Sequence, residues 1–341
     1  MPARAETDGD MSSGTERRVS IIIISYNSSA TLPQCLDCLK GQTYRDFGLV
    51  LIDNQSAERP GRFLKDLPFP VTYREMDDNL GFAQGMNEGI AATSSPLIVA
   101  LNPDAYPEPV WLAELVAAAD RYPDIAAFGS LQLDAADSKR IDGFGDHYLV
   151  TGQAWRGQTL PPPPDPPAPE YAFGVCAAAV LYRGDVLRAI GSFDGRFFCF
   201  YEDVDVSFRL RLAGHQCAVI RSAVVRHVGG ASFEGKSDFA DFLIARNGWW
   251  VLLKNMPMPL LLIAAPAYLA IHLISALKGK HPARGRGVWE ALGRTGEFLV
   301  SRREIQAKRT ISPADTAHWL TWRPSAFMNK VSVTRSALSP R

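Results

Sequence analysis

Three acidic residues follow a dense aromatic stretch within residues 193–205. Glu202, Asp203 and Asp205 stand within four positions of one another, directly behind Phe200 and Tyr201. A carboxylate that is ionised, held in place and partly shielded from water is suited to act as a general base. The same acids are equally suited to cap the helix that the following residues predict. From these residues alone, both interpretations stay open.

Strands alternating with helices are predicted over the first hundred residues. Runs of β-branched and apolar residues indicate buried strands at 19–25, 49–52, 71–74 and 97–101. A helix that begins near Pro33 and ends at Gly41 follows the first run, and a helix over 81–92 follows the third. This alternation predicts a parallel, doubly wound α/β sheet.

Polar clusters follow three of these strands: Tyr26-Asn27, Asp53-Asn54 and Asn102-Pro103-Asp104. Turn formation explains any one of them. Ligands bind beyond the carboxyl ends of the strands in an open α/β sheet, so three clusters in succession favour a binding site. The first strand is not followed by GxGxxG, which argues against a nicotinamide dinucleotide enzyme.

Composition excludes some classes of function. The 341 residues leave ample room for a core. Lysine plus arginine equals aspartate plus glutamate at 36 each, so we expect no nucleic-acid partner. Five cysteines and a polar N-terminus without an apolar signal core indicate a reduced, cytosolic-side protein. Cys35 and Cys38 share an apolar helix face with leucines, which favours core packing over zinc or redox chemistry.

Two segments are predicted to lack regular structure. Residues 1–17 are polar and without periodicity, which is typical of a disordered leader. Residues 161–169 contain seven prolines, so this loop must be extended and cannot join a sheet ladder. Residues 172–182 are small and apolar, and they predict a strand or buried helix that a ligand approaches closely.

Residues 256–330 are predicted to form a helical, membrane-associating region. Residues 260–277 are almost wholly apolar, and Lys278, Lys280, Arg284 and Arg286 follow closely. Eighteen residues span about 27 Å, barely the hydrocarbon thickness of a bilayer. We therefore favour an in-plane or re-entrant helix with basic anchors over a single span, with a buried soluble helix as the remaining alternative. A single basic helix is predicted over 289–311.

The combination resembles a known family, the inverting family 2 glycosyltransferases of the GT-A fold, and within it the rhamnosyltransferase-like branch. The resemblance covers about 19–250. The segments that carry it are 19–27, 52–56, 79–89, 102–104, 193–205, Gly214 and 227–232. It implies an α/β fold with a Rossmann-like mixed sheet flanked by helices over 18–255, followed by C-terminal amphipathic and hydrophobic helices. The nucleotide-binding half would be 18–130 and the acceptor half 131–255.

The resemblance implies a nucleotide-sugar donor and the residues that bind it. Asp53 would bind the base or ribose, and Gly81 and Gly85 would let backbone approach the diphosphate. The full implied set is Ser25, Tyr26, Asn27, Asp53, Asn54, Asn79, Gly81, Gly85, Asn87, Asn102 and Asp104.

The resemblance also implies a divalent cation, Mg²⁺ or Mn²⁺. Asp104 stands where the last acid of the family's DxD motif would stand, and His227 would complete the site. The chain departs from the motif because Asn102 replaces the first acid. A single carboxylate binds a hard cation weakly, so we expect low metal affinity before the donor binds.

Catalysis is assigned by the same resemblance. Asp203 would be the general base, with Glu202 beside it in the catalytic set. Acceptor contacts would come from Asp205, Arg246 and Trp249.

We expect transfer of a sugar, with L-rhamnose from dTDP-rhamnose as the first choice, to a polyprenyl-pyrophosphate-linked saccharide. The work would take place at the cytoplasmic face of the cell membrane, in cell-wall or surface-polysaccharide assembly. The alternatives are a UDP-hexose or UDP-galactofuranose donor with the same mechanism, or a non-catalytic binding protein that kept the fold.

Overall fold

A computed structural model describes residues 17–164, 168–229, 237–279 and 281–335. The predicted leader lies almost wholly outside the described residues, as do 165–167 of the proline-rich loop and 230–232 of the last resembling segment. The strands are β1 Val19–Ser25, β2 Phe47–Asp53, β3 Val71–Glu75, β4 Leu97–Leu101, β5 Ala105–Pro107, β6 Ile125–Asp134, β7 Ile141–Gly143, β8 Asp146–Tyr148, β9 Ala154–Arg156, β10 Glu170–Tyr171, β11 Ala179–Arg183 and β12 Gln216–His227. The helices are α1 Leu32–Lys40, α2 Gly81–Ala91, α3 Trp111–Arg121, α4 Gly184–Ala189, α5 Glu202–Leu212, α6 Ser237–Asn255, α7 Met258–Leu277, α8 Pro282–Gly293, α9 Thr295–Ala307, α10 Pro313–Trp319 and α11 Pro324–Met328.

The main sheet is mixed. Within the described residues its order is β10-β12-β6-β11-β4-β1-β2-β3, with β5 on β12 and β7 on β6. The four strands predicted from the sequence are parallel, since β1 pairs with both β2 and β4, and β2 pairs with β3. Strand β11 enters antiparallel between β4 and β6, so the sheet is not wholly parallel. The mixed sheet implied by the resemblance is confirmed.

Burial on both faces explains why β1 has no polar alternation. Ile22 and Ile24 face one apolar core with α2, while Ile21 and Ile23 face the other with α1 and α3. Cys35 packs in the second core, so the prediction of core packing for this residue is confirmed. The register pairs Ser25 with Asp53 at the carboxyl edge, which brings the two strand ends together.

Strand pairing also positions His227, at the end of β12. Strand β5 runs antiparallel to β12 with Ala105 opposite His227, so His227 lies beside Asp104 although 122 sequence positions separate the two. A separate hairpin of β8 and β9 lies across the same edge of the sheet. Residues 172–178 form a loop rather than the predicted strand or helix, since the strand begins at Ala179.

The C-terminal helices pack on α6, which contacts α7, α8 and α9. The single basic helix predicted over 289–311 is wrong. Gly293 ends α8, and α9 begins at Thr295. Glycine costs about 1 kcal/mol in a helix interior, which favours a break there.

Candidate active site

A cavity of about 700 Å³ opens at the carboxyl edge of the sheet, between the parallel strands, the β8–β9 hairpin and the start of α5. Nine of the predicted site residues line it: Tyr26, Asn54, Asn79, Gly81, Asn102, Asp104, Glu202, Asp203 and His227. The three strand-end clusters therefore meet the acidic run at one place. The parallel register explains this, because it aligns the strand ends at one edge.

Asp203 is held by backbone groups at the first turn of α5. Its Oδ2 accepts a hydrogen bond from Ala177 N at 3.1 Å, and its Oδ1 accepts one from Val204 N at 2.8 Å. The side chain is half-buried and lines the cavity. A helix N-terminus stabilises negative charge. This carboxylate is therefore both fixed in position and open to a ligand.

Glu202 is the more buried acid of the pair. Burial raises its pKa well above the usual range, and the charge of Asp203 adds to the shift. Its Oε2 has no hydrogen-bond partner among the described residues. The two adjacent acids therefore differ in their environment, since burial favours the neutral, protonated form of Glu202.

The loop before α5 is strained. Phe198, Phe200 and Tyr201 have φ angles of 67°, 64° and 70°, in the left-handed region that favours glycine. The buried Asn247 holds this loop, because its Nδ2 lies within hydrogen-bond distance of three carbonyls, those of residues 197, 199 and 200, at 3.0, 2.9 and 2.7 Å. Such strain persists only where the surrounding structure over-determines it, and it clusters at functional sites.

On the side of the cavity formed by the strand ends, Asn54 ties the end of β2 to the turn before α2. Its Nδ2 donates to Asn79 Oδ1 at 2.9 Å and to the carbonyl of Gly81 at 3.1 Å. Gly81 has a φ of 75°, and a Cβ there would stand 2.5 Å from the carbonyl oxygen of Phe198. A glycine is therefore required where this turn meets the strained loop.

Five predicted donor residues do not line the cavity. Asn27 accepts from Ala57 N and joins two loops, while Asn87 bonds both backbone groups of Phe193. Gly85 packs against β1, where a Cβ would lie 3.0 Å from Ile24. The expectation that Gly85 lets backbone approach a diphosphate is therefore wrong, because its open side is filled by this strand.

The other two lie beneath the edge of the sheet. Asp53 is buried and accepts from Ser56 N at 2.9 Å and from the hydroxyl of Tyr73 at 3.4 Å. Ser25 is also buried, and its Oγ has no partner among the described residues. The direct donor contacts expected of these two side chains remain predictions.

The three predicted acceptor residues lie away from the cavity. Asp205 is fully buried with Arg209 at 2.8 Å and Lys254 at 3.0 Å. Burial alone would raise its pKa, but these two cations outweigh burial and lower it. Asp205 therefore ties α5 to α6, and its expected acceptor contact is a wrong prediction.

Arg246 and Trp249 are also structural. Arg246 donates to the carbonyl of Phe197 at 3.0 Å and lies over the ring of Trp250. Trp249 is buried against Tyr268. Helix α6 turns both side chains into the protein, which explains why neither reaches the cavity.

Asp104 and His227 form the candidate metal centre. His227 Nε2 lies 3.4 Å from Asp104 Oδ1 and makes no hydrogen bond to any described residue, while Nδ1 lies 2.8 Å from Asp142 Oδ2. Burial lowers the pKa of His227, but the two carboxylates outweigh burial and raise it. Asp142 also pairs with Arg156 at 2.6 Å. Because Asp142 binds Nδ1, the other nitrogen is directed at the Asp104 carboxylate, an arrangement typical of metal-binding histidines.

Sequence reasoning missed four polar residues of this region: Asp142, Asp146, Arg156 and Cys176. Asp146, Cys176 and Asp203 each place one potential ligand atom within 4.8 Å of the others. Hard cations such as Mg²⁺ prefer oxygen ligands to a thiol, so the Cys176 sulfur is the weakest candidate ligand of this group. The only sequence signal was two acids flanking a glycine pair in 142–146, outside any predicted strand end.

Comparison with known proteins agrees with this geometry. The family model for Glycosyl transferase family 2 matches residues 20–155. The chain is 25% identical over 268 residues to the N-acetylglucosaminyl-diphospho-decaprenol L-rhamnosyltransferase of Mycobacterium tuberculosis. The alignment covers 67% of this chain and 85% of that protein.

Solved structures share the fold. S. aureus TarS in complex with UDP-GlcNAc matches with a TM-score of 0.57 at 12% identity, covering 92% of each chain. GalNAc-T7 with UDP, GalNAc and Mn²⁺ matches with a TM-score of 0.57 at 15% identity, covering 71% of this chain and 48% of that one.

The sheet and the cavity at its strand ends define a glycosyltransferase of the GT-A fold. Residues 20–155 match the domain model of the family 2 glycosyltransferases. The predicted fold class, family and enzyme class are confirmed.

Proposed function

We propose that this enzyme transfers a sugar from a nucleotide-sugar with inversion, using Asp203 as general base. Asp203 takes the proton of an acceptor hydroxyl, and the oxygen forms a bond to the anomeric carbon. The bond from that carbon to the diphosphate breaks, and the nucleoside diphosphate leaves with the electron pair. The observation that carries the proposal is the position of Asp203: backbone N–H groups fix both of its oxygens, and the side chain lines the cavity.

The donor is proposed to lie along the strand-end side of the cavity, over Tyr26, Asn54, Asn79 and Asn102. Our first choice is dTDP-rhamnose, supported by the name of the mycobacterial relative. UDP-hexoses and UDP-galactofuranose are the alternatives, and the TarS structure contains UDP-GlcNAc.

Asp104 and His227 are proposed to hold a divalent cation, Mg²⁺ or Mn²⁺. The free Nε2 of His227 beside a carboxylate fits such an ion, and Asp142 fixes the ring in the orientation that binding needs. A cation bound there would offset the negative charge of the diphosphate leaving group. The protein supplies few charged ligands, so affinity should rise when the donor's phosphates are present.

The acceptor is proposed to be a polyprenyl-pyrophosphate-linked saccharide at the cytoplasmic membrane face. Helix α7 is the one helix in the described parts of the chain that is long and apolar enough to cross a membrane. Leu260, Tyr268 and His272 on one face are buried, whereas Leu262 and Leu273 on the other are 70% and 60% exposed. A helix packed on the protein along one face is better suited to lie in the interface plane than to span.

A panel of nucleotide sugars tests the donor. Purified protein is heated with dTDP-rhamnose, UDP-GlcNAc, UDP-galactofuranose or GDP-mannose, each with and without Mn²⁺. A ligand at a hundred times its Kd adds about 2.7 kcal/mol of stability, which is readily measured. We expect one nucleotide to stabilise the protein more strongly with Mn²⁺. Absence of stabilisation by every donor would contradict the proposal and favour the binding-relic alternative.

The variant Asp203→Asn tests the base. Turnover should fall by about 10²- to 10⁴-fold, the usual contribution of a general base, while donor binding persists. Asp37→Asn, an exposed aspartate on α1, is the matched control. Unchanged turnover in Asp203→Asn would refute the role of this residue.

The membrane surface is tested by flotation with anionic vesicles. Leu262→Glu combined with Leu273→Glu should release the protein, whereas Leu160→Glu, a 45% exposed leucine away from α7, should not. Carbonate washing should remove at least part of the wild-type protein. Complete retention of the wild-type protein on membranes in carbonate, with no release by the two glutamate substitutions, would instead support a membrane-spanning helix.

A further inference from the structure

The floor of the cavity contains a second carboxylate beside the proposed base. Asp146 is the first residue of β8, is 5% exposed and lines the cavity. One of its oxygens lies within 4.8 Å of an oxygen of Asp203. The chain thus places two acids where a single sugar ring would meet both.

The two carboxylates differ in their protein partners. Both oxygens of Asp203 accept hydrogen bonds from backbone N–H groups. Asp146 forms no side-chain hydrogen bond or ion pair in the part of the chain that the structure describes, and the charged groups that act on it are Asp203 and Arg156. A side chain kept in that condition, directed into a cavity, is suited to a polar ligand.

We propose that Asp146 is a substrate-binding residue whose carboxyl holds a hydroxyl of the acceptor sugar next to the one that Asp203 deprotonates. The inference rests on the proposed function, because it takes the position of the reacting hydroxyl from Asp203. Neighbouring hydroxyls of one sugar ring are close enough for two such acids to bind one each.

The chemistry of this position suits a hydroxyl. Burial raises the pKa of Asp146 well above its usual range, and the charge of Asp203 raises it further. A carboxyl in its neutral form both donates and accepts a hydrogen bond, as a sugar hydroxyl does. Arg156 from strand β9, the residue opposite Asp146 in the hairpin register, also lines the cavity.

The acceptor side is favoured over the donor sugar by the elements involved. Asp146 and Trp155 both come from the β8–β9 hairpin, whereas the proposed donor residues follow β1, β2 and β4. The C-terminal segment fixes this hairpin, since Trp155 donates to the carbonyl of Val331 at 3.1 Å. The hairpin is therefore a rigid support for a specificity contact.

The test compares Asp146→Ala and Asp146→Asn with the wild type, using N-acetylglucosaminyl diphosphate on a short polyprenol as acceptor. Donor hydrolysis without acceptor is measured in parallel. Gln153→Ala, in the turn of the same hairpin and outside the cavity, is the control for folding. In Asp146→Ala we expect kcat/KM for the acceptor to fall about 10- to 100-fold, while donor hydrolysis stays within twofold. Asp146→Asn should recover part of the loss, because an amide also binds a hydroxyl.

Acceptors that each lack one hydroxyl identify the contact. The wild type should discriminate strongly against one of them, and Asp146→Ala should lose that discrimination. Equal losses on every acceptor, or an unchanged kcat/KM, would overturn the inference. A loss of donor hydrolysis in Asp146→Ala would assign the residue to the donor sugar and overturn it as well. Absence of donor cleavage by the wild type would overturn the proposed function and this inference with it.

Discussion

Replacing Asn247 by leucine should disable the enzyme without unfolding it. The Asn247 amide, fully buried on α6, is the clamp on the strained loop that ends at Glu202. Leucine has a similar size but donates no hydrogen bond. The carbonyls of residues 197, 199 and 200 then lose this donor while the core volume is nearly preserved.

The magnitude follows from counting donors and strain. The amide has two hydrogens, so its three contacts amount to two hydrogen bonds, and leaving two buried carbonyls unsatisfied costs about 2–6 kcal/mol. Phe198, Phe200 and Tyr201 each store about 1–3 kcal/mol, which relaxation of the loop would release. Only part of this strain is released when the loop moves, so the net loss in free energy of unfolding should be smaller than the about 2–6 kcal/mol of the lost hydrogen bonds.

Activity should respond more strongly than stability. A displacement of about 1 Å in a positioned group costs about 10²-fold in rate, and Asp203 lies only two positions after the strained loop. We expect kcat to fall at least that far while the nucleotide-sugar still stabilises the protein. Urea denaturation and turnover are measured on the same preparations.

Gln306→Ala is the matched control, since its amide donates a single hydrogen bond to a backbone carbonyl at 2.8 Å, outside the cavity. It should lose about 1 kcal/mol and keep its kcat. Full activity in Asn247→Leu, together with the expected loss of stability, would refute the link between this clamp and the base.

Three further predictions concern the metal centre, the glycine turn and pH. Asp142→Asn should raise the Mn²⁺ concentration for half-maximal activity about 10- to 100-fold, because it weakens the orientation of His227; an unchanged Mn²⁺ titration would contradict the assigned site. Gly81→Ala should reduce both stability and kcat. Gly191 is the control, because its φ is also positive, at 89°, but a Cβ there would meet no atom within 4 Å, so Gly191→Ala should cost only about 1–2 kcal/mol of backbone strain. Equal losses of stability in urea denaturation would show that the contact of residue 81 with the strained loop is unimportant. Burial lowers the pKa of His147 to about 4, below the value of about 6.5 for a histidine in the unfolded chain. The unfolded chain therefore takes up a proton first, and the free energy of unfolding should fall by about 3 kcal/mol as the pH drops from about 6.5 to about 4. His147→Gln should flatten this decline, and an unchanged slope would exclude His147 as its source.

The corrections to the predicted site residues share one cause, which is the direction of side chains. Asp205 is two positions after Asp203, and the sequence predicts both in one site. Two positions along a helix turn a side chain by about 200°. Asp205 therefore contacts Lys254 inside the protein, while Asp203 faces the cavity. Gly85 is on a helix that borders the cavity, but its own face packs on β1. Proximity in sequence identified the right elements and the wrong faces.

The sequence by itself determined the parallel strands, the three strand-end clusters and the acidic run, because each is encoded by local periodicity and residue type. These features were enough to indicate the family and to name Asp203, Asp104 and His227. Only the tertiary structure decided which residues share the cavity. Asp142 and Asp146 come from the short strands β7 and β8, and Asn247 from the distant helix α6. Their contacts depend on strand pairing and helix packing across more than forty positions of chain, for which no local pattern exists.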